Sequence, residues 1–166
     1  MHLAQTYAFD TPLTGRHHVT FAHSLELPSQ VRTGRLSGSA AWKVELTFTQ
    51  QFVQALHTAG ATVLEGSLRL GTAIESPETT AQIAIPLTLP PTGLPAAGTL
   101  LVHATGTAPP LSFSRAGTGL WSVSKASFHL RPQRADGSPT SVGGFNADAL
   151  LGTGEPTLLG EFTIAS

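Results

Sequence analysis

Apolar and polar residues alternate with a period of two along much of the chain. Val19, Phe21, His23, Leu25 and Leu27 alternate with Thr20, Ala22, Ser24 and Glu26, and Trp42, Val44, Leu46 and Phe48 alternate with Lys43, Glu45, Thr47 and Thr49. A strand sends successive side chains to opposite faces, so each run predicts a strand with one face buried. Leu64, Leu68 and Leu70 share one parity with Gly66, and Ile83, Ile85, Leu87 and Leu89 alternate with Gln82, Ala84, Pro86 and Thr88. Pro86 has no N–H to give to a ladder, which predicts an edge strand there. Residues 100–107, 121–130 and 158–164 supply three further strands.

Residues 111–140 carry the clearest punctuation. Short apolar runs at Leu111 and Phe113, at Leu120 to Val123 and at Phe128 to Leu130 are separated by a Gly-containing stretch at Ala116 to Gly119 and followed by Asp136 and Gly137. This reads as a β-hairpin with a turn at residues 116–119 and a second turn at the Asp-Gly pair. The parity of Trp121 and Val123 conflicts with that of Phe128 and Leu130, so a β-bulge or bend is expected near residues 124–126.

One segment departs from period two. In residues 50–59, Phe52, Val53 and Leu56 stand at helical spacing, with Thr49 placed to cap the start and Gly60 just past the end, which predicts one short helix. Seven to nine short strands with regular turn signals predict a single all-β domain over residues 1–166. An antiparallel immunoglobulin-like β-sandwich is the expected architecture, with a β-barrel as the alternative.

Composition narrows the function more than the fold. At 166 residues the chain can bury roughly 70% of its unfolded surface, so it needs no covalent staple. It has no cysteine, which removes disulfides, thiolate metal sites and a Cys nucleophile. Charged residues make up 11% of the chain, against about 25% in an average soluble domain. The formal net charge is −1 and the basic residues are scattered, so no electrostatic footprint for nucleic acid or an anionic membrane is expected. No apolar run approaches the length of a membrane span, and the first residues lack the charged and apolar regions of a signal peptide.

The reactive side chains do not converge in sequence. His17, His18 and His23 lie close together, but neighbours on a strand face opposite ways, so no metal or other cofactor is expected. His103 and His129 are predicted on neighbouring strands, with a surface or hydrogen-bonded core role as the default reading and a facing pair as the alternative. Ser112, Ser114, Ser122 and Ser124 lack a nucleophile elbow, and Asp136 with Gly137 reads as a turn; no catalytic residue is assigned and an enzyme is not expected. For ligand binding, Trp121 and Tyr7 are the candidate stacking groups, with Asn146 and Asp148 as hydrogen-bonding partners. Trp42 shares the parity of a core strand and is expected to be buried.

Across nearly its whole length the chain resembles a domain of unknown function found in secreted actinobacterial proteins, often in tandem. The resemblance is carried by Tyr7, Pro12, Leu13 and Gly15, then by a cadence of Pro28, Val31 and Gly34, and by Leu56, Gly60, Ala61 and Gly66. It continues through residues 95–98 and 104–109, closes at Leu159, Phe162 and Ile164, and is strongest at Phe113, Gly117, Leu130, Pro132, Ala135, Asp136, Gly137 and Pro139. The resemblance implies a β fold and an export history, but no catalytic or binding residues. It also implies a bridge between two cysteines that this chain lacks, one near Phe9 and one within residues 147–150. These features lead to a non-enzymatic structural or adhesion module, making protein contacts or self-assembling in a larger assembly or at the cell surface, with residues 4–9 as a strand donor. A glycan- or cell-wall-binding module is the second expectation, and a virion or particle decoration protein made in the cytoplasm the third.

Overall fold

The computed structural model describes residues 1–27 and 31–166; Pro28, the first residue of the Pro, Val, Gly cadence, lies outside them. Among the described residues the chain forms ten strands and one helix: β1 (His2–Asp10), β2 (Arg16–Leu25), β3 (Val31–Arg32), β4 (Ala40–Phe48), α1 (Gln50–Thr58), β5 (Val63–Glu75), β6 (Thr80–Gly93), β7 (Leu100–Ala108), β8 (Gly117–Gln133), β9 (Phe145–Leu151) and β10 (Leu158–Ala165). Eight of them pair antiparallel in the ring β8, β5, β6, β7, β4, β2, β1, β9, which closes because β9 also pairs with β8. Of the two expected architectures, the barrel is the one formed.

The ring is thin at two seams, which explains why alternation alone left sandwich and barrel both open. Strands β1 and β9 pair at Tyr7 with Leu151, Ala8 with Leu150 and Phe9 with Ala149. Strands β6 and β7 pair at Leu87 with Gly106 and Thr88 with Thr105. The second seam is short because Pro86, Pro90 and Pro91 in β6, and Pro109 and Pro110 after β7, withhold the N–H groups a longer ladder needs. Strand β6 is therefore not the edge that Pro86 predicted, since it pairs with β5 along its length and with β7 at one point.

That single point depends on a glycine. A Cβ on Gly106 would fall 2.3 Å from the Pro86 carbonyl oxygen and 2.9 Å from a Leu87 methyl, so the two backbones approach only because position 106 has no side chain. Gly106→Ala should part the seam and cost about 2 kcal/mol, as an overpacked site does. A urea midpoint unchanged from the parent would show that the seam tolerates the methyl.

Residues 117–133 form one strand of 17 residues, not the hairpin expected at residues 116–119. Gly117 and Gly119 serve close packing there. A Cβ would meet Pro77 at Gly117 and the Phe162 ring of the neighbouring β10 at Gly119. The expected bulge is present: Gly71 is opposite Lys125 and Thr72 opposite Val123, leaving Ser124 without a partner on β5. The expected turn is present too, since the Asp136 carboxylate accepts hydrogen bonds from the backbone N–H and hydroxyl of Ser138, and Gly137 has a φ of 80°.

Helix α1 closes one end of the barrel. The Thr49 hydroxyl accepts a bond from the Phe52 N–H at 3.4 Å, and Phe52, Val53 and Leu56 are buried, as the spacing predicted. The interior is filled by alternate residues of every barrel strand, with Trp42, Trp121, Tyr7, Phe9, Phe21, Phe48 and Phe52 as its largest fully buried side chains.

Candidate functional site

Strand β1 points Leu3, Gln5, Tyr7 and Phe9 into the barrel, and all four are buried. Residues 4–9 are thus an integral strand, paired with β2 throughout and with β9 at Tyr7 to Phe9, and not a free donor. A polar chain runs through the core from this strand. The Gln5 amide donates to the carbonyls of Val123 (2.8 Å) and Pro156 (2.7 Å), and its oxygen accepts from the Tyr7 hydroxyl (3.0 Å). That oxygen also faces His23 Nε2 at 3.0 Å, while Trp42 Nε1–H points at His23 Nδ1 from 3.4 Å.

These contacts fix the proton positions. Trp42 can only donate, so Nδ1 must be the acceptor; the Gln5 oxygen can only accept, so Nε2 carries the hydrogen. His23 is a neutral imidazole with both nitrogens used. Burial lowers its pKa to about 4. Burial, with Glu155 nearby, pushes the Tyr7 phenol well above its ordinary value. The network ties β1 and β2 to β8 across the interior; it is closed to solvent and presents nothing to a substrate.

Trp121 and Tyr7, the expected stacking groups, are both completely buried, so neither can lie against a ligand in this fold. Trp121 sits edge-on to Trp42 with ring centroids 5.4 Å apart, in the same core layer. The expectation of exposure rested on a turn before Trp121; with residues 117–119 in the strand, its parity turns it inward. The two indoles differ in one respect: Trp42 N–H has a partner, and Trp121 N–H has none. Trp42→Phe strands the His23 acceptor, whereas Trp121→Phe removes an unpaired donor. The first should therefore cost about 1 to 3 kcal/mol more than the second in chemical denaturation. Equal losses would show that the Trp42 bond contributes nothing.

His17 and His18 point to opposite faces of their strand, as expected, and His103 and His129 do not meet. His17 faces inward and His18 outward. His17 has no hydrogen-bond partner on either ring nitrogen and packs against Phe52 and Phe9 at 5.3 and 6.1 Å; burial lowers its pKa. His103 lies on β7 beside Glu45 at 3.9 Å, and His129 on β8 beside Asn146, with β5 and β6 between the two strands. No group of three or more metal-ligating side chains is formed among the described residues.

Asn146 and Asp148 are brought together on the outer face of β9, and they mark the accessible site. His129 Nδ1 is 2.7 Å from the Asn146 side-chain oxygen. In the next row of the sheet, Asp148 is opposite Ser127, Ser127 opposite Arg69, and Arg69 opposite Pro86. A depression of about 400 Å³ connects these two rows. It shares Arg69, Ser127 and Asp148 with a groove of about 490 Å³ that continues over Gly71, Ala84, Lys125 and Leu150.

The groove exists because β8 changes partners at this point. Strand β10 accompanies β8 as far as Ser122, and β9 begins at Ala126. Between them lies the bulge at Ser124, where two consecutive residues, Ser124 and Lys125, are exposed. The parity break revealed the bulge in the sequence, but Arg69 and Lys125 carried no signal, because their approach depends on a pairing of distant strands.

An eight-stranded antiparallel barrel with a buried polar clamp and an outer groove at a strand fork defines a small all-β domain. The chain belongs to a family of unknown function (DUF6801), whose model matches residues 6–160. Nothing among the curated proteins or the solved structures matches it.

Proposed function

We propose that the protein is a non-enzymatic structural or adhesion module that makes protein contacts in a larger assembly or at a cell surface. The observation that carries this reading is the groove at the fork of β8. It is wide and shallow, it is floored by short side chains, and the exposed Leu150 stands on its rim. Such a surface suits an extended segment of another chain better than a small molecule, which needs a more enclosing cavity. The polar side chains of Gln5, Tyr7, His23 and Trp42 are engaged with one another in the closed interior network, away from this groove.

The glycan reading has lost its main support, because a sugar face is held by an exposed aromatic ring. Among the described residues both Trp, Tyr7 and every Phe except the half-buried Phe162 are buried. The two readings separate on parallel arrays of short extended peptides and of polysaccharides. A protein-contact module is expected to bind peptides, or to self-associate in light scattering. Binding confined to saccharides would overturn it.

A further inference from the structure

The groove carries a charge arrangement that selects its occupant. Among the described residues, Arg69, Lys125 and Asp148 make no ion pair and no side-chain hydrogen bond, although Arg16 is paired with Asp10 and Arg131 with Glu65. Arg69 and Asp148 stand two strands apart, about 10 Å between backbones, with Ser127 between them. The Lys125 stem lies across Gly71, where a Cβ would come within 2.8 Å of it. Two cations thus share the groove with one carboxylate without pairing with it.

We propose that this groove binds an acidic, extended peptide segment of a partner protein. A partner carboxylate is held by Arg69 and Lys125, where the guanidinium offers a two-pronged donor and the ammonium a point charge. Asp148 and Ser127 take up donors from the partner's backbone, and Leu150 receives an aliphatic neighbour of the acidic residue. The aliphatic rim and the lack of an outward aromatic ring favour a peptide over an acidic polysaccharide. The bulge contributes by leaving Ser124 unpaired on β5, so the backbone is locally open. The inference rests on the protein-contact reading and names the chemistry of its partner.

The test uses the full chain on an array of peptides in which glutamate, glutamine or lysine alternates with leucine and serine, at low and high salt. Glutamate peptides are expected to bind best, with salt weakening the binding. Arg69→Glu with Lys125→Glu should lose about tenfold or more of that affinity. Arg69→Gln with Lys125→Gln provides a milder version should the reversal fail to fold, and Arg16→Gln, a charge change outside the groove, should leave glutamate binding unchanged. Equal binding of glutamine peptides, or glutamate binding untouched by either double variant, would overturn the assignment of this groove while leaving a protein-contact module standing. Loss of binding in the double variants for acidic polysaccharide alone would overturn the choice of a peptide. Absence of any peptide binding together with absence of self-association would remove both this inference and the reading beneath it.

Discussion

Lowering the pH from about 6.5 to about 4 is expected to remove about 3 kcal/mol of stability through His23 alone, from the difference between its buried pKa of about 4 and the ordinary value of 6.5. The sign follows from proton uptake. Above pH 6.5 the imidazole is neutral in both states and the term is absent. Between the two values the unfolded chain takes a proton and the native protein does not, so stability falls with pH; below about 4 both are protonated and the loss stops growing. Geometry supports the direction independently: a proton on Nδ1 would face the Trp42 N–H, setting donor against donor. His17 acts in the same sense through its own burial. Glu78 and Asp136 have pKa values lowered mainly by hydrogen bonds from Ser114 and Ser138, so the stability they add is lost as the pH falls from the ordinary carboxylate values through the lowered ones.

Urea midpoints across this range at fixed ionic strength would show the fall. His23→Gln cannot titrate, and it should be less stable than the parent near neutrality because its smaller, flexible amide fills the buried site less well and loses rotamer freedom in meeting Trp42 and Gln5. Its deficit should then shrink by about 3 kcal/mol on acidification. Parallel curves for the two proteins would show that His23 is not the group responsible.

The same residues show which parts of the fold could be read from the chain. Alternation identified β2 and β4 because their inward positions are large and apolar and their outward ones polar. Helix α1 was legible from Thr49, Phe52, Val53, Leu56 and Gly60, and the bulge from a conflict of parity. What failed was information carried by distant partners. Gly117 and Gly119 have the look of a turn, and only the presence of Pro77 and Phe162 over them makes them strand residues. That single misreading turned Trp121 outward. Strand β1 went unrecognised because Gln5 occupies an inward position, acceptable only since Val123, Pro156, Tyr7 and His23 satisfy it. Strand β9 was missed because its inward positions after Phe145 are the small residues Ala147 and Ala149. Asn146 and Asp148 could be singled out as polar candidates, but their cationic counterparts belong to other strands.

Cysteines placed at positions 9 and 149 are expected to form a disulfide that closes the β1 and β9 seam. The resemblance implied a bridge from near Phe9 to somewhere within residues 147–150, and the register now puts Phe9 directly opposite Ala149, both facing inward. Directly opposed residues on antiparallel strands bring their Cβ atoms within about 5 Å, near the range a disulfide spans. Phe9 packs against Phe52, Phe128, Phe48 and His17 with ring centroids at 5.2, 5.7, 6.0 and 6.1 Å, so Phe9→Cys by itself opens a cavity and destabilises. The informative comparison is therefore the doubly substituted chain, Phe9→Cys with Ala149→Cys, oxidised against reduced. Cross-linking a loop of about 140 residues removes enough unfolded-state entropy to stabilise by about 4 to 5 kcal/mol, less any strain in the bridge. The oxidised form should unfold at a clearly higher urea concentration, and reductant should abolish that difference while leaving a Phe9→Cys single variant unmoved. Thiols that remain titratable under oxidising conditions would mean that β1 and β9 do not meet at this register, and would reopen the closure of the barrel itself.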